Sequence, residues 1–339
     1  MKNICKIPGK FSLECGGNLS DIEIAYHTYG TLRYEKDNVI WVCHALTANS
    51  DVADWWPHTV ETDKFLDPRK WFIICANILG SPYGSTSPLS INPDTGEQFF
   101  NKFPRLTMRD IVNAHKLLAD HLGLRHIHAL IGSSVGGFQA LEWAVSEPKR
   151  FRKLILIGTA EAATPWTIAI NETQRMAIAT DPTFGLPRQD AGARGLEAAR
   201  AIGLLTYRGA DGYNRTQADP GDSDILSPLR RASTYQRYQG EKLRKRFNAY
   251  SYKSILDAFD THDIGRGRGG HDTALGTITA ETLIVGQSSD MIFPPEDMIK
   301  MSRKIAGAEY KELSSPFGHD GFLVEHQQLN NILSPFINK

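Results

Sequence analysis

The segment Gly132-Ser133-Ser134-Val135-Gly136-Gly137 follows an apolar run at 127–131 (IHALI) and precedes a helix-forming stretch that continues through Ala144 and stops at Pro148. A serine between glycines where a buried strand turns into a helix has the composition of a nucleophile elbow. The serine must sit on a sharp, strained turn for its Oγ to project. Glycines at 132 and 136 leave room for the strand and helix to cross closely. The helix start also places positive potential and a free N–H beside a developing oxyanion. The bare pattern occurs often by chance, and a Gly-rich phosphate loop is its rival. Neither GxGxxG nor GxxxxGK followed by Ser or Thr is present. The strand–turn–helix context makes Ser134 the expected nucleophile.

A serine of this kind needs an acid and then a histidine later in the chain. The apolar run 283–285 leads into Gly286-Gln287-Ser288-Ser289-Asp290, which places Asp290 in the loop after a late strand; Glu296 and Asp297 are rivals that begin the next helix. Of the 11 histidines only His319 and His326 follow Asp290, and His319 lies in a Gly-flanked loop after a short strand at 310–313 while His326 falls in a helical pattern. The expected triad is thus Ser134, Asp290 and His319. An oxyanion hole needs a second N–H from the loop after an early strand. His44-Ala45-Leu46-Thr47 follows the run 39–44, so the backbone N–H groups of Leu46 and Val135 are the expected donors, with His44 structural.

The elements that must hold these residues are legible as short apolar runs at 39–44, 71–76, 127–131, 154–157 and 283–285, with an alternating stretch at 22–29. Runs of this kind bounded by Gly, Pro or Asn fit strands buried on both faces of a parallel sheet. Between them, 109–122 has helical spacing, with Thr107 as its cap and Gly123 as its stop. The alternation predicts an α/β fold, a mostly parallel sheet with helices on both faces. From about 161 to 273 no convincing parallel strand occurs, and the stretch is rich in helix formers broken by loops such as Asp219-Pro220-Gly221-Asp222. The expected organisation is a catalytic core of residues 1–160 and 276–339 with a helical insertion at 161–275.

Composition narrows the function. Lys and Arg total 38 and Asp and Glu total 38, so the chain carries no net charge, which argues against a general nucleic-acid binder. The four cysteines form no CxxC pair and no Cys/His cluster at zinc spacing; no metal is implied, and Cys43 and Cys75 read as buried free thiols of a reducing compartment. No apolar leader opens the chain and no run approaches a membrane span, so a soluble, cytoplasmic protein is expected.

Several blocks together resemble the homoserine O-acetyltransferase family. They are Cys43-His44-Ala45-Leu46-Thr47, Gly84-Ser85-Thr86-Ser87-Pro88, Ile91-Asn92-Pro93-Asp94-Thr95-Gly96, the elbow, Ala140-Leu141-Glu142-Trp143-Ala144, Thr206-Tyr207-Arg208, Tyr238-Gln239-Gly240-Glu241-Lys242 with Arg246-Phe247, and Gly318-His319-Asp320-Gly321-Phe322-Leu323. The resemblance spans 40 to 325 in order. It implies an α/β-hydrolase fold, acetyl-CoA as co-substrate with no permanently bound cofactor, L-homoserine as acceptor, methionine biosynthesis, a lid formed by the insertion at 161–275, and a homodimer assembled through it. The family's nucleophile, acid and base fall on Ser134, Asp290 and His319. Its amino-acid-binding residues fall on Arg200 and Tyr207, and Asp320 is positioned for the acceptor's ammonium.

Arg200 and Tyr207 lie seven apart in a helical pattern at 195–207, nearly two turns, so they share one face about 10 Å apart. An arginine fork there suits a carboxylate. Related enzymes use serine as acceptor or succinyl-CoA as donor, and an esterase or thioesterase would use the same triad. A non-catalytic binding protein on this scaffold ranks last, because such proteins typically lose one of the three residues. The basic residues Arg230, Arg231, Lys242, Arg244, Lys245 and Arg246 read as a solvated helix face or, in part, as contacts to the phosphates of CoA.

Overall fold

The computed structural model describes residues 1–221 and 224–339, so Asp222 of the loop noted above lies outside the described residues. Eight strands form one sheet: β1 (Lys2–Ser12), β2 (Asn18–Tyr29), β3 (Val39–Cys43), β4 (Phe72–Ala76), β5 (Ile127–Ser133), β6 (Phe151–Ile157), β7 (Glu281–Gln287) and β8 (Glu309–Leu313). Their order is β1-β2-β4-β3-β5-β6-β7-β8. The pairs β1–β2 and β2–β4 are antiparallel. The five pairings from β4–β3 to β7–β8 are parallel.

The helices are α1 (Val52–Trp55), α2 (Met108–His121), α3 (Val135–Ser146), α4 (Pro165–Ala179), α5 (Ala193–Tyr207), α6 (Ala210–Gln217), α7 (Arg231–Arg244), α8 (Ala249–Phe259), α9 (His271–Leu275), α10 (Pro295–Ser302), α11 (Gly321–Val324) and α12 (His326–Asn338). No helix among the described residues is long and apolar enough to cross a membrane. Six of them, α4 to α9, lie between β6 and β7, and no strand interrupts them among the described residues.

The continuous apolar runs have a direct cause. In β3, Val39, Trp41 and Cys43 enter one core while Ile40 and Val42 enter another, and in β6 Leu154 and Leu156 divide from Ile155 and Ile157 in the same way. Side chains alternate across a strand, so a strand covered on both faces is apolar at every position. Leu118 and Ala119 of α2 and Leu141 and Trp143 of α3 close one core, and Leu329, Leu333 and Ile337 of α12 close the other. Thr107 caps α2 by accepting from the Asp110 N–H while the Asp110 carboxylate accepts from the Thr107 N–H, a reciprocal pair.

Two elements differ from the reading of the sequence. The edge strand β1 has no continuous apolar signature: Pro8 and Gly9 interrupt it, and its pairing with β2 shifts between Ile7 and Lys10. A bulged, largely exposed edge strand needs neither a clean alternation nor an unbroken run. The β7 strand spans Glu281–Gln287, so it extends two residues beyond each end of the expected run 283–285. Residues Cys5, Cys43 and Cys75 are buried free thiols, and Cys15 is exposed.

Candidate active site

The parallel strands deliver the chemistry-bearing residues at their carboxyl ends, where ligands sit in open α/β sheets. Strand β3 ends at the His44–Thr47 turn, β5 at Ser134, β6 at Gly158, β7 shortly before Asp290 and β8 shortly before His319. Ser134 has φ 56° and ψ −126°, a conformation costly for a residue with a Cβ. It is held there from both sides. Its N–H donates to the Ile157 carbonyl at 3.0 Å, and its carbonyl accepts from Thr159 Oγ1 at 3.0 Å. The glycines around it answer to contacts. A Cβ on Gly136 would lie 2.0 Å from the Cys43 carbonyl oxygen, and one on Gly132 2.1 Å from the Gly136 carbonyl oxygen. Gly136 therefore lets the start of α3 touch the end of β3.

That contact brings two free amides together. Among the described residues, neither the Leu46 nor the Val135 N–H donates within the protein. The turn carrying Leu46 is fixed by His44, whose Nδ1–H donates to the Ala45 carbonyl at 2.8 Å while Nε2 accepts from the Ile78 N–H at 3.0 Å. Burial keeps this imidazole neutral by lowering its pKa to about 4. Gln139 reinforces the junction by donating to the carbonyls of His44 and Val135, both at 3.2 Å. His44 is thus structural, and the tautomer it needs follows from its two partners.

The acid and the histidine meet at the adjacent strand ends. His319 Nδ1–H donates to Asp290 Oδ2 at 2.7 Å. Asp290 Oδ1 accepts from the N–H groups of Ile292 at 2.8 Å and Phe293 at 3.0 Å, which fixes the carboxylate. His319 Nε2 is buried with no partner among the described residues, a lone pair beside the cavity. Gly158, at φ +50°, allows this approach, because a Cβ there would lie 3.3 Å from both Asp290 Oδ2 and His319 Cε1. The rival residues are elsewhere: Asp297 pairs with Lys300 in the first turn of α10, and His326 packs edge-on against His58.

Burial opposes the charged form of His319, but the charge and hydrogen bond of Asp290 and the charge of Asp320 outweigh it, so its pKa lies above the usual 6.5. A general base works as the neutral ring. Activity is therefore expected to rise with pH through a midpoint above 6.5, and a kcat/KM profile for an acyl donor checks it; a midpoint below 6.5 contradicts this electrostatic picture.

A cavity of about 470 Å³ joins these parts. Its wall includes Leu46, Ser134, Val135, His319, Asp320, Arg200 and Tyr207, with Asp290 behind His319. Arg200 and Tyr207 meet as expected from their spacing on α5: the guanidinium carbon lies 5.4 Å from the Tyr207 ring centroid. Gly203 between them leaves room for their neighbours, since a Cβ there would lie 2.7 Å from Gln174 Oε1 and 3.1 Å from the Tyr207 hydroxyl and would displace those side-chain ends. Burial raises the pKa of Tyr207, so it presents a neutral hydroxyl.

The basic residues separate by partner. Arg244 pairs with Glu197, Lys245 with Glu241 and Arg230 with Asp219, whereas Lys242 and Arg246 line the cavity. Arg246 also donates to the Thr47 carbonyl at 2.5 Å, next to Leu46. Two further polar side chains lie against these groups. Gln287 donates to Asp290 Oδ2 at 3.3 Å and accepts from the Phe322 N–H at 2.7 Å, tying the acid to the His319 loop. Arg208 lies 3.1 Å from Asp320. Asn171, Gln239 and Trp55 also face the cavity.

Comparison with known proteins bears on the fold and the family. Residues 38–326 match the α/β hydrolase fold family. A homoserine O-acetyltransferase of Cyclobacterium marinum is 45% identical over 327 residues, covering 96% of this chain and 92% of that one. The crystal structure of a homoserine O-acetyltransferase from Bacillus anthracis superposes with a TM-score of 0.92 at 24% identity, over 100% of this chain and 98% of that one. The L374D mutant of esterase E22 superposes with a TM-score of 0.90, also at 24% identity and over 100% of both chains. At that level of identity the two structures speak for the fold alone, and the fold serves transferase and esterase alike. The sequence match over nearly the full length decides the family: this chain belongs to the homoserine O-acetyltransferases of the α/β hydrolase fold.

Proposed function

We propose that the chain transfers the acetyl group of acetyl-CoA to the hydroxyl of L-homoserine through an acyl-enzyme on Ser134. The observation that carries this reading is one cavity holding a strained serine, a histidine with a free Nε2, two free amides and the Arg200–Tyr207 pair.

His319 Nε2 takes the Ser134 proton as Oγ attacks the thioester carbonyl. Asp290 holds the ring in the Nδ1–H tautomer and stabilises its charged form. The Leu46 and Val135 amides receive the oxyanion. The thiol of CoA leaves with the proton from His319. Homoserine then binds with its carboxylate at Arg200 and Tyr207 and its ammonium at Asp320. His319 accepts the proton of the homoserine hydroxyl, which attacks the acyl-enzyme, and returns that proton to Ser134 Oγ as the serine leaves. The product, O-acetyl-homoserine, is a precursor for methionine.

Residues 161–275 serve as a lid over the core formed by 1–160 and 276–339, since α4, α5 and α7 supply Asn171, Arg200, Tyr207 and Lys242 to the cavity wall. Lys242 and Arg246 contact the phosphates of CoA. Replacing both with alanine is expected to raise KM for acetyl-CoA severalfold and leave KM for homoserine nearly unchanged; an unchanged KM for acetyl-CoA removes them from the donor site. Exposed apolar side chains on the helical segment, Trp166, Met176 and Leu205 among them, favour a homodimer formed through it, which sedimentation at equilibrium tests. The buried free thiols favour the cytoplasm.

Release of free thiol from acetyl-CoA and succinyl-CoA, each with L-homoserine, L-serine or no acceptor, tests the reading as a whole. Fast release from acetyl-CoA only with homoserine is the expected result. Equal release without acceptor makes the protein a thioesterase using the same triad. Preference for succinyl-CoA or for serine reassigns donor or acceptor on the same scaffold.

A further inference from the structure

The joint between α5 and α6 lies directly on the His319 loop, backbone against backbone. A Cβ on Gly209 would lie 2.3 Å from the Pro316 carbonyl oxygen, and one on Gly212 2.6 Å from the same atom. From the other side, a Cβ on Gly318 would lie 2.5 Å from the Gly209 nitrogen and 3.1 Å from the Tyr207 carbonyl oxygen. The Gly212 N–H donates to the Pro316 carbonyl at 3.2 Å. Three glycines thus allow two segments far apart in sequence to interlock. The end of α5 that carries Tyr207 and the loop that carries His319 are held in one relative position, their rings 6.2 Å apart.

Arg208 sits in this joint. Its Nε lies 3.1 Å from Asp320 Oδ2, and it is the only ion-pair partner of Asp320 among the described residues. Among the described residues the same N–H makes no aligned hydrogen bond, so the attraction is Coulombic and leaves the carboxylate able to take a better donor. Both side chains face the cavity.

We propose that Arg208 is a positioning residue for the amino-acid acceptor: it holds the Asp320 carboxylate toward the cavity in the empty site and yields it to the acceptor's ammonium. This deepens the transferase reading and rests on it. Arg208 then acts on recognition of the amino group and not on the chemistry of Ser134. A carboxylate that loses its only cation relaxes toward water or another partner, and the cost appears when the ammonium must recruit it.

The test compares the parent with Arg208→Met and Arg208→Lys. Each is assayed for transfer to L-homoserine and to 4-hydroxybutyrate, which lacks the amino group, and for thiol release in the first turnover without acceptor. In Arg208→Met the homoserine kcat/KM is expected to fall at least about tenfold further than that for 4-hydroxybutyrate, as befits one charged contact. Arg208→Lys should recover part of that preference, since an ammonium also pairs with Asp320. An equal fall for both acceptors, in step with first-turnover thiol release, would show that Arg208 only props the loop and would overturn the proposal. So would an unchanged preference in both variants. A parent that shows no acceptor dependence refutes the transferase reading itself, whatever the variants do.

Discussion

Ser134→Ala is expected to lower acetyl transfer by about 10⁴-fold or more, the scale on which a nucleophile that acts with its base as a unit is lost. The residual rate would come from the amides and from binding. Ser133→Ala is the matched control: Ser133 is the last residue of β5, is buried and lies outside the cavity wall, so its loss should change the rate only severalfold. The parent mixed with acetyl-CoA without acceptor should gain the mass of one acetyl group on the peptide containing Ser134, and Ser134→Ala should not. A Ser134→Ala variant that turns over like the parent would refute the acyl-enzyme.

The second large effect belongs to Asp290. In Asp290→Asn the side-chain oxygen is expected to stay with the Ile292 and Phe293 N–H groups, which donate to Oδ1 at 2.8 and 3.0 Å. The amide nitrogen then replaces Oδ2, the atom now 2.7 Å from His319 Nδ1. A donor at that position forces the imidazole proton onto Nε2, the atom that must accept from Ser134. The loss should approach 10³- to 10⁴-fold, roughly what wrong-tautomer substitutions cost elsewhere. The pH profile gives an independent sign. Without the Asp290 charge, burial dominates and lowers the His319 pKa, so whatever activity remains should show an acid limb below that of the parent. A variant of near-parental rate, or an acid limb that does not move down, would mean that Asp290 does not orient the histidine.

What could be read from the chain without its fold was whatever local backbone chemistry dictates. The elbow is legible because a serine at φ 56° flanked by crossing backbones tolerates only glycine at 132 and 136. The strands β3 to β7 are legible because covering both faces of a sheet makes every position apolar. The order serine, acid, histidine followed because each residue sits just past a strand end, and strand ends are punctuated in sequence. Arg200 and Tyr207 were singled out by the family resemblance, and their spacing on one helix adds only that they share a face.

The rest depends on which distant segments touch. The basic run around Lys242–Arg246 is uniform in sequence, yet Glu197 of α5 occupies Arg244 while Lys242 and Arg246 reach the cavity, a division set by how α7 lies on α5. Gln287 looks like an ordinary strand residue until the loop carrying Phe322 returns to accept its company. Arg208 gains its partner only because Gly209, Gly212 and Gly318 let α5 dock on the His319 loop. Edge strand β1 is fixed by pairing with β2 rather than by any pattern of its own. The candidate reacting residues Ser134, Asp290 and His319 are legible along the chain because strained turns and buried strands restrict residue type locally. Which side chains hold those residues in place depends on the fold, because ion pairs and backbone-to-backbone contacts are made between segments whose separation along the chain leaves no periodic trace.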